Sequence, residues 1–323
     1  MLNENSLNVS TVFSVAKVFA IILVILAHSR IVDASVYSII AERISTIGVI
    51  TFFFISGYFF NIFKYGLKDF FIKKFKTLIV PWIFLGSLVY IVENKFSFLS
   101  LLNWLIGNGT YLYYLTVLLS CYLINALLLR KWYKVLFIIL NVISLILTSF
   151  GIIDRIGQDI FGCYAVNHYL NVLNWVGFFS LGVLFQTRME FLLFKLNKNI
   201  LLIFLLYALF VFISIVLEPS YGGYFSKLSI PLELMGMCLL LAISTLEIFD
   251  KPIIHKISGF TFTIYLIHFL VFPFRKILIT NHFFQFLNPI IYMLICVAVI
   301  SIGKKIANVL KLNRLFILLM GVR

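Results

Sequence analysis

Charge is what this 323-residue chain has least of. Asp, Glu, Lys and Arg together make up only 12 % of it, against about 25 % in an ordinary globular domain. Hydrophobic residues reach 63 % and mean hydropathy is +1.10. A core of this length could not hide so much apolar surface from water, so the expected solvent is lipid. Cysteine is scarce too. Cys121, Cys163, Cys238 and Cys296 lie far apart, with no CxxC and no Cys/His ligand spacing, so neither a zinc site, nor any other metal, nor a disulfide framework is expected. The apolar stretches lack strict alternation, which excludes the pattern of an outer-membrane barrel. The first of them has no small-x-small exit and is not expected to be a cleaved leader.

What remains is a series of apolar runs near twenty residues long. They predict an all-α, polytopic membrane protein of about ten transmembrane helices, at roughly 11–31, 45–63, 77–93, 110–129, 133–150, 170–187, 199–217, 230–249, 257–275 and 286–303. Turn residues separate them: Gly66, Gly107-Asn108-Gly109, Gly151, Glu218-Pro219, Gly222-Gly223 and Lys251-Pro252. The whole of 1–323 reads as one integral-membrane domain with a short cytoplasmic tail at about 304–323 and no soluble appendage. The net charge of +14 comes from Lys and Arg scattered between the runs, not gathered on one face, which argues against a nucleic-acid partner. About two-thirds of them fall in the loops that share a side with the N-terminus, so the positive-inside rule places both termini in the cytoplasm. Arg43 counts among the outer basic residues, and Trp104, Tyr111, Trp132 and Trp175 flank spans as an interfacial aromatic belt would.

Ionisable groups inside the runs are therefore the informative residues. Inserting one costs about 2.5–3.5 kcal/mol, which makes each a candidate functional site. Lys17 and His28 share the first run, eleven residues and about 16 Å of helical rise apart. His268 is embedded in Ile264-Tyr265-Leu266-Ile267-His268-Phe269. If both helices run outward, the two histidines reach matched depths and could line one cavity. Each has a plain alternative: Lys17 could snorkel to headgroups, and either histidine could be a helix–helix hydrogen bond. Glu233 is expected near the outer end of its span, facing headgroups or holding a substrate. His168, His255 and His282 read as solvated loop residues.

An ordered set of motifs then becomes visible. Lys17 and His28 are a basic residue, ten others and a histidine. Phe52-Phe53-Phe54-Ile55-Ser56-Gly57-Tyr58 is an aromatic run closing in Ser-Gly-Tyr. Lys73-Lys74-Phe75-Lys76-Thr77-Leu78-Ile79-Val80-Pro81-Trp82 is a basic cluster ending in Pro-aromatic. Leu112-Tyr113-Tyr114-Leu115 opens the fourth span, and Tyr265-Leu266-Ile267-His268 comes late. Over about residues 11–270 the chain resembles the acyltransferase 3 family of integral-membrane acyltransferases. It departs from the family's frequent Arg-x-x-Arg by having Lys73 and Lys76, which lack the bidentate guanidinium fork.

The resemblance implies a membrane O-acyltransferase, the group moved often being acetyl, that takes its acyl unit from cytoplasmic acyl-CoA and delivers it to a sugar hydroxyl of a surface polysaccharide or lipid-linked precursor. The setting would be the bacterial cytoplasmic membrane. Acyl-CoA is a co-substrate, so no permanently bound cofactor is expected; the partners are acyl-CoA, the glycan acceptor and membrane lipid, with homo-oligomerisation left open. In that scheme His28 is a general base or transient acyl carrier, with His268 in the same catalytic group. Lys17, Lys73, Lys74 and Lys76 bind the donor, the three clustered lysines docking its phosphates or serving only as topology determinants. Ser56, Gly57, Tyr58, Tyr265 and Glu233 complete the pocket, although Ser56-Gly57-Tyr58 also fits simple helix packing. A glycan transporter or flippase without covalent chemistry is the alternative; its usual internal repeat is not seen.

Overall fold

A computed structural model describes residues 8–29, 35–93, 97–128, 134–150, 152, 168–217, 228–271 and 284–322, and among them there are helices and turns but no strand. The chain runs through α1 (Val9–Ser29), α2 (Val36–Ser45), α3 (Ile47–Tyr58), α4 (Ile62–Lys74), a π-helical turn (Phe75–Ile79), α5 (Val80–Glu93), α6 (Phe98–Ile106), α7 (Tyr113–Leu128) and α8 (Lys134–Ser149). It continues through α9 (Val176–Leu184), α10 (Met189–Lys198), α11 (Ile200–Leu217), α12 (Ser229–Ile243), α13 (Pro252–Ser258), α14 (Thr261–Val271), α15 (Asn288–Val309) and α16 (Asn313–Met320).

Local chemistry sets several of these boundaries. The Asn8 side chain accepts from the Ser10 amide at 3.0 Å and caps α1, and Ser35 accepts from Ser38 to cap α2. Pro252 opens α13. Gly107 and Gly109 take left-handed φ values of 90° and 70° in the turn before α7, a backbone that glycine adopts without strain.

Each of the ten expected segments contains an apolar helix, but the helices are unequal. Val9–Ser29, Val36–Tyr58, Gly66–Val92, Ile200–Leu217 and Asn288–Val309 are long and apolar enough to cross a bilayer. Two further candidates are bent pairs, each a broken span or a re-entrant loop: Val176–Thr187 with Met189–Lys198 at 100°, and Pro252–Ser258 with Thr261–Val271 at 74°. Tyr113–Ala126, Val135–Ser149 and Ser229–Ile243 are apolar but shorter. Among the described residues the structure thus carries five to seven candidate spans, and the chain is a multi-pass, all-α membrane protein. Hydropathy overextends the eighth segment to residue 249. The helix ends at Ile243, where the Ser244 and Thr245 hydroxyls donate to the Leu240 and Ala242 carbonyls in the last turn.

The core sits around α1, which packs on α2, α3, α12, α13, α14 and α15. Close approach is secured by small residues, as expected where lipid removes the hydrophobic drive for helix pairing. A Cβ on Gly48 of α3 would lie 2.6 Å from the Ala20 carbonyl oxygen of α1. The outward face of α11 is almost wholly lipid-directed, with Leu201, Phe212 and Leu217 at least 63 % exposed.

Two expectations need correction. The stretch expected as a short tail at about 304–323 is helical and packed where described: α15 runs on to Val309, and α16 folds back so that Thr263 of α14 donates to the Met320 carbonyl at 2.6 Å. Arg43 is not an outer-loop residue. It is 0 % exposed, its Nε donates to the Ser214 hydroxyl at 3.2 Å and Glu42 lies 3.4 Å from its Nη1. The second span begins earlier than hydropathy placed it, because α2 carries polar residues whose charge is satisfied inside the bundle.

Candidate active site

A packed histidine cluster and a cavity lie along α1. At its C-terminal end, His28 meets His268 of α14 with ring centroids 5.4 Å apart. Phe269 touches both, at 5.0 Å from His28 and 4.7 Å from His268. Tyr111, from the turn before α7, stacks on Phe269 at 4.3 Å and meets His268 edge-on at 5.1 Å. His268 is 0 % exposed, whereas His28 stands at the open edge of the cluster. The expectation of a buried imidazole at position 28 is corrected: the buried one is His268. The reason is position, since His28 occupies the last turn of α1.

His268 Nδ1 lies 2.7 Å from the Tyr265 carbonyl oxygen. A carbonyl only accepts, so Nδ1 carries the proton and neutral His268 keeps its lone pair on Nε2. A base or a relay for a neighbouring imidazole needs that tautomer.

At the N-terminal end of α1 a cavity of about 410 Å³ opens between α1, α3, the π-helical turn, α7, α13 and α14. Its wall brings together Lys17, Ser56, Lys74, Tyr114, His255 and Tyr265. Lys74 donates to the Tyr122 hydroxyl at 2.9 Å, and Lys17 lies 5.4 Å from the centre of the Phe59 ring. His255 sits 2.6 Å from Asp250. Irregular backbone frames the space: the π-helical turn supplies Thr77 and Leu78, and the bend between α13 and α14 supplies Ser258 and Gly259. Such breaks are tolerated at membrane depth where they border a cavity. Gly321, beyond α16, forms part of the same wall.

Tyr265 joins the cavity to the histidine cluster. It lines the cavity, its carbonyl holds His268, and its hydroxyl donates to the Tyr111 carbonyl. Tyr111 returns the contact by donating to the Leu266 carbonyl at 2.8 Å. Cationic groups thus lie at one end and a pair of imidazoles at the other, His268 being one helix turn beyond the Tyr265 that lines the cavity.

Other expected site residues are placed elsewhere. Lys73 and Lys76 are exposed and do not contribute to this wall; Lys74, between them, does. Their side chains leave the helix in different directions because adjacent positions do not share a face. Gly57 is a packing residue: a Cβ there would lie 1.9 Å from the Phe179 carbonyl oxygen of α9, and one on Gly182 would lie 2.0 Å from Phe54. Tyr58 packs on Phe13 at 4.8 Å and on Phe59 at 5.0 Å, behind the cavity wall that Phe59 helps to form, and does not itself line it. Glu233 does not face headgroups. It is 0 % exposed inside α12, and neither carboxyl oxygen has a hydrogen-bond partner among the described residues. Tyr111 and Trp175 are 4 % and 1 % exposed, so neither belongs to a belt. His255, read as a loop residue, is on α13 at the cavity; the side chain of His168, and His282 and Trp132 altogether, lie outside the described residues. No cluster of three or more His, Cys, Asp or Glu among the described residues could hold a metal.

Sequence reading missed Tyr111, His255, Gln186 and Gly321. Gln186 donates to the Gly57, Tyr58 and Phe60 carbonyls at 3.2, 2.9 and 2.7 Å and closes the end of α3. Nothing local marks it, because its partners are about 130 residues away in the chain.

Compared with known protein families, the chain matches the acyltransferase 3 family, described as an acyltransferase domain, over residues 12–303. No curated protein and no solved structure matches it. The match takes in α1 through most of α15, so the chain belongs to this family and is a membrane acyltransferase that transfers groups other than aminoacyl groups.

Proposed function

We propose that this membrane acyltransferase moves an acyl group, acetyl in the simplest case, from cytoplasmic acyl-CoA to a sugar hydroxyl of a surface polysaccharide or its lipid-linked precursor, in the cytoplasmic membrane of a bacterium. In this reading the ten apolar segments cross or enter the membrane with both termini in the cytoplasm. The Lys17 end faces the cytoplasm and the His28 end faces outward. The observation that carries the reading is the alignment of a lysine-lined cavity and a histidine pair along one helix, with Lys17 and His28 about 16 Å apart by helical rise.

The donor's phosphates lie against Lys17 and Lys74, whose ammonium groups attract them as point charges. Its pantetheine arm points up the cavity past Ser56 and Tyr114 to Tyr265. At the other end the acceptor hydroxyl reaches His28 from the open side. His28 takes the hydroxyl proton as the oxygen attacks the thioester carbonyl. The tetrahedral adduct then collapses, the carbon–sulfur bond breaks, and the leaving thiolate takes up the proton, giving an ester and free CoA. His268 stands behind His28 in the tautomer that can share that proton. Bringing thioester and hydroxyl together from opposite sides supplies the positional part of the acceleration.

The experiment is reconstitution in sealed vesicles with radiolabelled acetyl-CoA on one side and a glycan acceptor on the other. Labelled ester on the acceptor is expected, and only when donor faces the lysine end. Glycan crossing the membrane unmodified, with the label left on CoA, would instead support a flippase.

A further inference from the structure

Tyr111 belongs to none of the motifs that carry the family resemblance, yet three different contacts tie it to the histidine pair. Its hydroxyl donates to the Leu266 carbonyl at 2.8 Å. Its own carbonyl accepts from the Tyr265 hydroxyl. Its ring stacks on Phe269 at 4.3 Å with an interplanar angle of 14°, and stands edge-on to His268 at 5.1 Å and to His28 at 6.4 Å. The two hydroxyl-to-carbonyl bonds cross reciprocally between the turn before α7 and the one turn of α14 that ends in His268. Both tyrosines are at most 4 % exposed. In a segment shielded from water each of these carbonyls depends on protein donors.

We infer that Tyr111 is a positioning residue for His268. Resting on the acyl-transfer reading above, the inference adds a residue that sets the rate of the chemical step without touching the donor. The turn before α7 acts as a brace. The Tyr111 hydroxyl holds the Leu266 carbonyl, the Tyr265 hydroxyl holds the brace in return, and the Tyr265 carbonyl fixes the Nδ1 proton of His268. The Tyr111 ring forms the third side of the space in which the two imidazoles meet, opposite the freedom that a χ2 rotation of His268 would otherwise have. Tyr111 does not line the lysine cavity, which separates its effect from that of Tyr265.

The test uses the full-length protein in detergent or vesicles, with acetyl-CoA as donor, and compares Tyr111→Phe, Tyr111→Leu and His268→Ala. Tyr111→Phe keeps the ring and removes one hydroxyl. Its kcat should fall by about tenfold, a part of the ~10²–10⁴ that a positioned base supplies, while KM for acetyl-CoA stays within about twofold. Tyr111→Leu, which also removes the ring, should lose more kcat at the same donor KM. A purely structural residue would lower the melting temperature and the yield of active protein but would not separate kcat from KM among the molecules that remain folded. The active fraction is counted by donor binding, so a poorly folding variant is still scored. Wild-type kcat in Tyr111→Phe, with His268→Ala inactive, would overturn the role of Tyr111 alone. Wild-type kcat in His268→Ala would overturn the histidine assignment on which it rests.

Discussion

The lysine end and the histidine end of α1 solve opposite problems with the same helix. At the lysine end the groups are charged, half-buried and set around a cavity of about 410 Å³ whose walls are broken backbone. At the histidine end the polar groups are titratable rings packed among Tyr111, Tyr265 and Phe269, with His268 fully buried. An ammonium is tolerable near the membrane edge, where its stem can lie along apolar surface and its head stays hydrated. His268 occupies the drier place, where each hydrogen bond is stronger and its orientation is fixed, while His28 keeps the open edge. The comparison teaches that the ammonium group of Lys17 and the imidazole of His28 are kept about three turns apart on one helix, which in the proposed reading separates donor binding from proton transfer.

The sharpest way to break that division is at the imidazoles. His28→Ala and His268→Ala should each reduce kcat by about 10²–10⁴ with little change in donor KM, measured with labelled acetyl-CoA; a change confined to donor KM would place both histidines in the binding site. Next in size is the packing that holds the two ends in register. Gly57→Val, with its new side chain directed at the Phe179 carbonyl, should destabilise the fold by about 1–3 kcal/mol or more. Thermal unfolding in detergent reads this, and a Gly57→Val protein as stable as wild type would show that α3 and α9 can separate at no cost. The smallest effect belongs to the lysines. Lys17→Ala or Lys74→Ala should raise donor KM about tenfold, the worth of one charge-assisted contact of roughly 1.5 kcal/mol. Lys73→Ala and Lys76→Ala, which are exposed and off the cavity wall, should change it less than twofold. Equal effects at all four positions would mean that overall charge, not cavity geometry, attracts the donor.

Much of this architecture is legible from residue order. Hydropathy located an apolar helix in each of ten segments, and the cost of burying an ionisable group singled out Lys17, His28 and His268. Other readings failed for identifiable reasons. A cluster of lysines at 73, 74 and 76 looks uniform in the chain, but helical geometry turns only Lys74 to the cavity. Ser56-Gly57-Tyr58 looks like one motif, yet Ser56 lines the cavity, Gly57 meets α9 and Tyr58 packs on Phe13. Arg43 was counted as an outer charge because its partner Ser214 is 171 residues away. Tyr111 was taken for an interfacial aromatic because its role exists only through α14.

The amino-acid order by itself determined the solvent this protein lives in, its helical class, and the few side chains too costly to bury without a use. These are sums over local transfer energies, and they need no knowledge of neighbours. Tertiary structure alone decided which lysine faces the cavity, which histidine is shielded, and that a tyrosine before α7 braces the turn carrying His268. Those outcomes depend on direction and on partners more than a hundred residues apart, and a one-dimensional pattern of hydropathy carries no record of either.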